Sequence, residues 1–508
     1  MAQSPSSSND SSDHESPDYV DRILKGSGSV FSGSMVGKVV GFTLNLVMAR
    51  GFGDALFGLY SLGLTLLRVV QSVATLGLQN GIVRFAAPSY ERGETAEVKG
   101  TFLASGGLGI LAGITIGVVF FTTSSWLANA VFNEPEMKQV IEVFACGLPF
   151  YVLTYLLSRM ARALGRMQAD VLLDSILQPA IFLVLAGGVL GFGYGFDTAL
   201  YAFVLSTLLA AGGGLYALYC LFPPLLSSLP PSFAVRRLLR FSLPIIGVTL
   251  AGVGLTYTDR IMLGILSTST AVGLYEIAAR LAQQLRFVLS AITAAFSPII
   301  SDLYHNDRVD ALSELYSDTV RWILLFTLPI CLLMVAFAPE VMSLFGPGFR
   351  EGAGLLQVLA PAYLIVAGVG SVGQMLQMTD HQDAVLGINT SMALMNIVLN
   401  WLLIRIYGPI GAALATGLTQ GLGNLFQVAL LYHFTGLQPF RRGLWKILVA
   451  AGAAGLVGGP AAVLLAAPLH WIVGIPLLLL SYTGATFALG LHPKDQSIAE
   501  SLWDRLHL

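Results

Sequence analysis

Basic side chains occur inside the long apolar stretches of this sequence, where charge is rare. They are Lys38, Arg68, Arg280 and Arg286. An unpaired cation near the middle of a bilayer costs at least about 2.5–3.5 kcal/mol on insertion scales, so such residues usually line a hydrated or protein-lined cavity. In that setting guanidinium and ammonium groups hold anions through charge-assisted hydrogen bonds. The four residues are therefore predicted to bind an anionic substrate.

Polar residues accompany these cations at helical spacing. Steps of three and four residues place one set on a single helical face, namely Ser61, Thr65, Arg68, Ser72, Thr75 and Gln79. A second such face holds Glu276, Arg280, Gln283, Arg286, Ser290, Thr293 and Ser297. Two shorter faces hold Ser34, Lys38, Gly41 and Asn45, and Thr249, Gly252, Thr256 and Asp259. We predict that Asn45 and Gln283 also bind substrate, and that Asp259 or Glu276 binds a coupling cation, H⁺ or Na⁺.

A purely structural role for these charges is the alternative. Glu276 and Arg280 are four residues apart and could neutralise each other on one helix, and Asp259 could pair with Arg260. Even so, basic side chains outnumber acidic ones on these faces, which favours an anionic substrate. Other intramembrane polar residues share single faces and are expected to form interhelical hydrogen bonds rather than to bind sugar hydroxyls. They are Asn389, Asn396, Asn400, Thr416, Gln420, Asn424 and Gln427.

The composition indicates which elements carry these residues. Hydrophobic residues make up 55% of the 508-residue chain and charged residues 11%, against about 25% charged residues in soluble proteins. So few charges cannot cover a soluble surface, and apolar runs of roughly 20 residues suffice for helices to cross a bilayer. The sequence thus predicts an all-α multi-pass membrane protein with about 14 transmembrane helices. A net charge of −2 does not suggest a nucleic-acid partner.

The chain repeats itself about 214 residues apart. FGLY at 57–60 recurs as VGLY at 272–275, and LPFY at 148–151 recurs as APAY at 360–363. Each copy holds six predicted helices, an even number, so two parallel six-helix bundles are expected to alternate access by rocking. The predicted segments are a disordered cytoplasmic tail (1–24), an N-terminal six-helix bundle (25–222), a cytoplasmic linker (223–241), a C-terminal six-helix bundle (242–435), two additional transmembrane helices (436–491) and a cytoplasmic tail (492–508).

The distribution of Lys and Arg predicts the orientation in the membrane. Most of them lie in the predicted tails and even-numbered loops, whereas the odd-numbered loops hold only Arg50, Lys138, Arg260, Arg350 and Arg405. Basic loops stay on the cytoplasmic side. Both termini are therefore predicted to be cytoplasmic, in a multi-pass protein of the cell membrane.

Motifs along residues 25–435 resemble one transporter family. FSGSMVGKVVGF, GLQNGIVRFAAPSYERGE, TDRIMLGILSTSTAVGLYEIAARL and LFGPGFREGAGLLQVLAPAYL are similar to the polysaccharide-transporter (Wzx-type oligosaccharide flippase) family of the MOP flippase superfamily, which is related to MATE antiporters and lipid II flippases. The resemblance implies a flippase that moves a lipid-phosphate- or lipid-diphosphate-linked oligosaccharide to the outer leaflet, for polysaccharide or glycoprotein assembly. It also implies that Lys38, Arg68 and Arg280 occupy the positions of the cations thought to hold the diphosphate in lipid II flippases, although Lys38 stands where Arg is common.

Other functions make different demands on the sequence. A MATE-type multidrug/cation antiporter would need a negatively charged cavity. A membrane glycosyltransferase or polymerase would need acidic clusters in an outer loop or a soluble domain, and the predicted outer loops are short. We expect no enzyme activity, no catalytic residue, no metal site and no cofactor, because no phosphate-binding Gly-Lys-Ser/Thr loop or metal-ligand spacing occurs. The predicted partners are the lipid-linked oligosaccharide, membrane lipids and the coupling cation.

Overall fold

A computed structural model describes residues 16–306, 308–440, 444–464 and 469–489. Over these residues the chain is helical and contains no strand, which confirms the predicted all-α class. Ten helical stretches in the described part are long and apolar enough to cross a membrane. The chain is therefore a multi-pass membrane protein, whereas the number of about 14 helices remains a prediction. Residues 1–15 of the predicted N-terminal tail and the whole predicted tail 492–508 lie outside the described residues.

The first two predicted transmembrane helices run together in the structure. Helix α1 spans Ser16–Ala74 and is interrupted at Gly53, whose φ of 77° departs from helical geometry. Glycine reaches positive φ without the steric cost that a side chain would add. Gly53 therefore marks the turn that the sequence predicts between two membrane-crossing segments.

One compact unit, unit 1, comprises the described residues up to Gly51, together with Leu66–Ala128 and Pro135–Leu250. After its parts of α1, it contains the helices α2 (Leu78–Glu91), α3 (Thr95–Thr122), α4 (Ser124–Trp126), α5 (Met137–Ala163), α6 (Met167–Val171), α7 (Gln178–Gly191), α8 (Phe196–Leu221) and the first half of α9 (Val235–Leu266). Glycines let α3 approach α5 closely: a Cβ at Gly109 would lie 2.3 Å from Leu156 Cδ1. Small residues at such contacts are how transmembrane helices pack tightly without a hydrophobic driving force.

The second compact unit, unit 2, comprises Phe52–Thr65, Asn129–Glu134 and the described residues from Ala251 onward. Besides the end of α9, it contains the helices α10 (Ser269–Gln283), α11 (Arg286–His305), α12 (Val309–Ala336), α13 (Ala338–Ser343), α14 (Ala353–Gly368), α15 (Val372–Met378), α16 (Gln382–Tyr407), α17 (Pro409–Thr435), α18 (Leu444–Leu464) and α19 (Leu469–Ala488). The last two, which lie beyond the predicted repeat, pack on α12, where the Tyr482 hydroxyl donates to the Leu325 carbonyl at 3.0 Å.

The repeated motifs FGLY and VGLY contact each other within unit 2. A Cβ at Gly58 would lie 1.9 Å from the Ser269 carbonyl oxygen, and a Cβ at Gly273 would lie 2.5 Å from the Asp54 carbonyl oxygen. Asp54 and Ser269 are separated by the same interval in the sequence as Gly58 and Gly273. The contact is thus nearly symmetric, as expected where two copies of one repeat meet, and only glycine permits this approach of backbones.

Candidate functional site

A buried carboxylate, that of Asp259 near the end of α9, joins four helices of unit 2. Its Oδ2 accepts hydrogen bonds from the Tyr275 hydroxyl at 2.8 Å and from Thr416 Oγ1 at 2.7 Å. Its Oδ1 accepts from Asn400 Nδ2 at 2.8 Å. Tyr275 lies on α10, Asn400 on α16 and Thr416 on α17. Neutral donors therefore surround this carboxylate, a setting that hydrogen bonding makes tolerable for a buried charge.

Oxygen atoms are concentrated around Asp259. Asn400 Nδ2 also donates to the backbone oxygen of Asn396 at 2.9 Å and lies 3.1 Å from Asn396 Oδ1. Asn400 Oδ1 is buried and has no hydrogen-bond partner among the described residues. A carboxylate, amide oxygens and a hydroxyl are the ligands that hard cations prefer. The arrangement is chemically suited to hold a small cation.

A second buried carboxylate, that of Glu276 on α10, is shared by two guanidinium groups. Arg260 Nε donates to Glu276 Oε2, and Arg280 Nε donates to Glu276 Oε1. Arg260 is buried and also donates from Nη1 to the Thr256 carbonyl at 2.9 Å. The structure thus contains the Glu276–Arg280 pair that helical spacing allows, but Glu276 neutralises only one of its two basic partners.

Arg280 keeps part of its side chain available. The side chain is 30% exposed, and within the described part of the chain only its Nε takes part in a side-chain hydrogen bond. Its two terminal nitrogens form the outer edge of a planar fork that matches phosphate geometry. This guanidinium is held in place from one side and free to bind an anion from the other.

The remaining predicted residues of unit 2 lie at the end of α10 and the start of α11. Gln283 is exposed and donates from Nε2 to the Tyr363 hydroxyl at 3.3 Å. Arg286 is exposed at the first residue of α11. A break at Gln284–Leu285 separates the two helices, although the sequence predicted one continuous helix there. Unit 2 therefore brings Asp259, Glu276, Arg280 and Gln283 together, with Arg286 beyond the break.

Three predicted binding residues belong to unit 1 and lie on α1. Lys38 is exposed, Arg68 is half-buried and Asn45 is buried. The Asn45 amide donates to the Gly41 carbonyl one turn earlier in the same helix. That bond leaves the Asn45 side-chain oxygen and the second N–H of its amide for a ligand. The role of these residues in substrate binding stays a prediction.

Sequence patterns alone do not identify several residues of the site. They predict Arg260 in an outer loop, whereas the structure places it in α9 with its side chain buried. They indicate Tyr275 only as part of the VGLY repeat motif. Asn400 and Thr416 do form the interhelical hydrogen bonds expected of them, and their common partner is Asp259. Their positions on single polar faces were the signal that could have linked them to the site.

Comparisons with known proteins identify the family. The model of a family described as "Polysaccharide biosynthesis protein" matches residues 23–304, and the MatE family model matches residues 244–402. The "Probable flippase AglR" of Haloferax volcanii is 27% identical over 205 residues, which cover 40% of this chain and 43% of that protein. The match thus spans less than half of the relative's length.

Solved structures show the fold. A structure described as "Lipid II flippase MurJ, inward closed conformation" is 13% identical, with a TM-score of 0.69 over 90% of this chain and 97% of the other. An "Inward-facing conformation of a multidrug resistance MATE family transporter of the MOP superfamily" is 15% identical, with a TM-score of 0.66 over 80% of this chain and 98% of the other. Because the family match at residues 23–304 covers more than half of the chain, this protein is a member of the polysaccharide biosynthesis family, with the fold of the MOP superfamily.

Proposed function

We propose that this protein is a flippase that moves a lipid-phosphate- or lipid-diphosphate-linked oligosaccharide from the cytoplasmic to the outer leaflet by alternating access. Membership of the polysaccharide biosynthesis family and the name of the AglR relative support this function. The observation that carries the proposal is the surplus of basic side chains on intramembrane faces. In unit 2, Glu276 pairs with both Arg260 and Arg280, and Arg286 adds a third basic side chain at the start of α11.

The phosphate group is proposed to bind at Arg280, with Lys38, Arg68, Arg286, Asn45 and Gln283 as the other substrate contacts. Glu276 orients Arg280 through Nε and leaves the two terminal nitrogens for the anion. A bound phosphate would also compete with Glu276 for Arg280. Glu276 would then keep its bond to Arg260, so no buried charge would lose its partner.

In the proposed flippase, the exterior faces lipid and a hydrated path inside the protein carries the sugar. Its halves are the predicted bundles 25–222 and 242–435, joined by the linker 223–241 and followed by the helices of 436–491. Both termini are assigned to the cytoplasm by the positive-inside rule, in a cell membrane. Binding and movement of a head group need no covalent chemistry, so the proposal assigns no enzyme activity.

A cation is proposed to couple transport to an ion gradient at Asp259. The carboxylate and Thr416 Oγ1 offer oxygen ligands from two helices, and a turn of the Asn400 amide would add its unpartnered Oδ1 from a third. Cation sites of secondary transporters are built near the bilayer midplane from such convergent oxygens. Either Na⁺ or H⁺ would neutralise the carboxylate, whereas Glu276 is occupied by two guanidinium groups and is the weaker candidate.

A MATE-type multidrug/cation antiporter is the second candidate. The match of residues 244–402 to the MatE family model favours it. A cationic drug would be repelled by the same surplus of basic side chains that suits a phosphate, so we rank it below the flippase. Transport of a cationic dye that survives Arg280→Ala would favour the antiporter.

Substitution of Arg280 tests the flippase proposal. In a deletion strain of the native host complemented with Arg280→Ala, flipping should fall about 10- to 150-fold, since a charge-assisted hydrogen bond contributes about 1.5–3 kcal/mol. Arg280→Lys should keep part of the activity as a point charge. The measurement is the fraction of lipid-linked oligosaccharide that periodate, a membrane-impermeant oxidant, can oxidise in intact cells.

The matched control is Arg405→Ala, which removes an exposed arginine at the end of α16 that stacks on Trp401. It should leave flipping unchanged. Normal export by an Arg280→Ala protein that is present in the membrane at the usual level would overturn the proposed binding site.

A further inference from the structure

Four arginines form an open basic pocket in unit 1, whereas Arg280 belongs to unit 2. Arg84 lies on α2, and Arg236, Arg237 and Arg240 lie in the first turns of α9. Together with Phe85, Phe233 and Phe241 they line a cavity of about 860 Å³. A smaller adjoining cavity of about 250 Å³ shares Arg84, Phe85 and Arg237 with it.

Close packing at a glycine holds the two arginine-bearing helices against each other. A Cβ at Gly81 of α2 would lie 2.4 Å from Ser242 Oγ and 2.7 Å from Leu238 Cδ1, both in α9. The chain leading into α9 is also tied down, because Lys99 Nζ donates to the Leu229 carbonyl at 3.0 Å and the Ser232 amide donates to the Ala96 carbonyl at 2.9 Å. The pocket is therefore a built feature of unit 1.

Aromatic rings orient the guanidinium groups in the pocket. Arg84 stacks over the Phe241 ring at 4.4 Å, Arg237 stacks over the Phe85 ring at 4.8 Å, and the two rings contact each other edge to face at 5.5 Å. A stacked guanidinium uses its face for the ring and keeps its N–H edge for an anion. The two stacked pairs thus leave the N–H edges of Arg84 and Arg237 available to bind one ligand.

The pocket has a surplus of positive charge. In the described portion of the chain, no carboxylate lies within ion-pair distance of Arg84, Arg236, Arg237 or Arg240. Arg92, at the smaller cavity, is instead paired with Glu94 at 2.7 Å. That hydrogen bond lowers the pKa of the Glu94 carboxyl, so this neighbouring pair is neutral as a whole. The carboxylate of Glu97, which also lines the smaller cavity, accepts from the Ser89 hydroxyl at 2.9 Å.

The setting of the pocket indicates what kind of anion would bind. The apolar stretches Thr95–Thr122 and Val235–Gly254, both long enough to cross a membrane, begin beside it. Leu243, one turn after Arg240, is 47% exposed, and Phe233 at the opposite edge is 58% exposed. The basic pocket thus adjoins exposed apolar surface. A ligand that combines an anionic head group with apolar chains matches this arrangement. Basic pockets between transmembrane helices at the cytoplasmic surface bind phospholipid head groups in this way.

We propose that this pocket, formed by Arg84, Arg236, Arg237 and Arg240, binds the head group of an anionic phospholipid from the leaflet that the positive-inside rule assigns to the cytoplasm. The phosphate sits between the α2 and α9 arginines, and the acyl chains run along Leu243. The bound lipid adds to the contacts that hold the start of α9 against α2. None of the pocket residues belongs to the polar faces that carry Lys38, Arg68 or Arg280.

Lipid binding by the full-length protein tests the proposal. Native mass spectrometry of the detergent-purified chain titrated with phosphatidylglycerol should show at least one tight site that phosphatidylcholine does not fill. The triple variant Arg84→Gln, Arg237→Gln, Arg240→Gln should bind phosphatidylglycerol about 100-fold more weakly, since each basic residue near an anionic lipid contributes about fivefold. A matched triple variant, Arg166→Gln, Arg350→Gln, Arg405→Gln, removes three exposed arginines outside the pocket and should bind like the unaltered chain.

Two further arms separate this proposal from its rivals. The corresponding lysine triple variant keeps the charges and should bind at least tenfold more tightly than the glutamine triple variant; equal binding by the two would contradict recognition by charge. Millimolar inorganic phosphate should not displace phosphatidylglycerol, and displacement would assign the pocket to a free phosphate. Unchanged lipid binding by the glutamine triple variant, or an equal loss in the matched control, would overturn the proposal.

Discussion

Asp259 and Glu276 are both buried carboxylates in unit 2, yet their partners differ in kind. Asp259 accepts from a tyrosine hydroxyl, a threonine hydroxyl and an amide, whereas Glu276 accepts from two guanidinium groups. Removing one partner of a buried ion pair costs about 3–5 kcal/mol, because the other charge is left uncompensated. Glu276 is therefore fixed as a counter-ion of Arg260. A cation that binds Asp259 could replace its neutral donors, because the ion itself would then compensate the charge of the buried carboxylate.

Asp259→Asn should abolish ion-dependent flipping while leaving the fold intact. The amide oxygen of asparagine can still accept from Tyr275 and Thr416, so thermal stability should change little. The charge that attracts the cation is lost. The measurement is the rate of flipping in proteoliposomes, taken over a range of Na⁺ concentrations at fixed pH and over a range of pH at fixed Na⁺ concentration. The variant should lose the dependence on Na⁺ or on pH that the unaltered protein shows.

The matched control for this experiment is Asp383→Asn, at an exposed position near the start of α16. It should preserve the ion dependence. Retention of the original Na⁺ and pH dependence by the Asp259 variant would exclude Asp259 as the coupling residue.

At the level of helices, the contact between the start of α10 and residues 54–58 of α1 depends on glycine. No side chain fits at Gly58 or Gly273, because in each case a backbone carbonyl oxygen occupies the place of the missing Cβ. Segments that approach this closely gain van der Waals contact, which is the main packing energy available within a bilayer. The two FGLY-type motifs are thus a structural contact, and their Tyr275 additionally bonds Asp259.

Gly58→Ala or Gly273→Ala should destabilise the protein by about 1–3 kcal/mol or more, the usual cost of forcing extra atoms into a packed contact. The apparent unfolding temperature of the detergent-purified chain is the measurement. Gly107→Ala in α3 is the control, since nothing lies within 4 Å of a Cβ built there. That variant should be equal to or slightly more stable than the unaltered chain, because alanine favours helix. An equally large fall in the unfolding temperature of the Gly107→Ala variant would contradict the role of close packing at Gly58.

For the whole molecule, the central expectation is the orientation in the membrane. The positive-inside rule assigns the loop around Glu91 to the cytoplasm and the loop around Glu136 to the outside. In a variant lacking Cys146, Cys220 and Cys331, Glu91→Cys and Glu136→Cys introduce single thiols at exposed positions. A membrane-impermeant maleimide should label the Glu136 variant in intact cells and the Glu91 variant only after permeabilisation. The reverse pattern would invert the proposed direction of transport.

Much of the fold followed from sequence patterns that act locally. Low charge and apolar runs predicted the all-α membrane class, because a bilayer admits helices whose backbone groups are satisfied within the segment. Gly53 lies between the first two predicted helices, and α3, α5, α8, α16 and α17 lie where these runs predicted helices. The apolar run at 321–343 was predicted as one helix, whereas α12 begins at Val309 and ends at Ala336. The break at Gln284–Leu285 was missed, since no proline or glycine marks it.

The sequence by itself determined that basic residues lie on polar faces of apolar helices, because spacing along one helix is a local property. Only the tertiary structure decided their partners. Glu276 bonds Arg260 from α9, and Asp259 bonds Asn400 and Thr416 from α16 and α17. Such contacts between residues far apart in the chain arise from the packing of helices, which fixes how much charge is neutralised and how much is left for a substrate or a lipid.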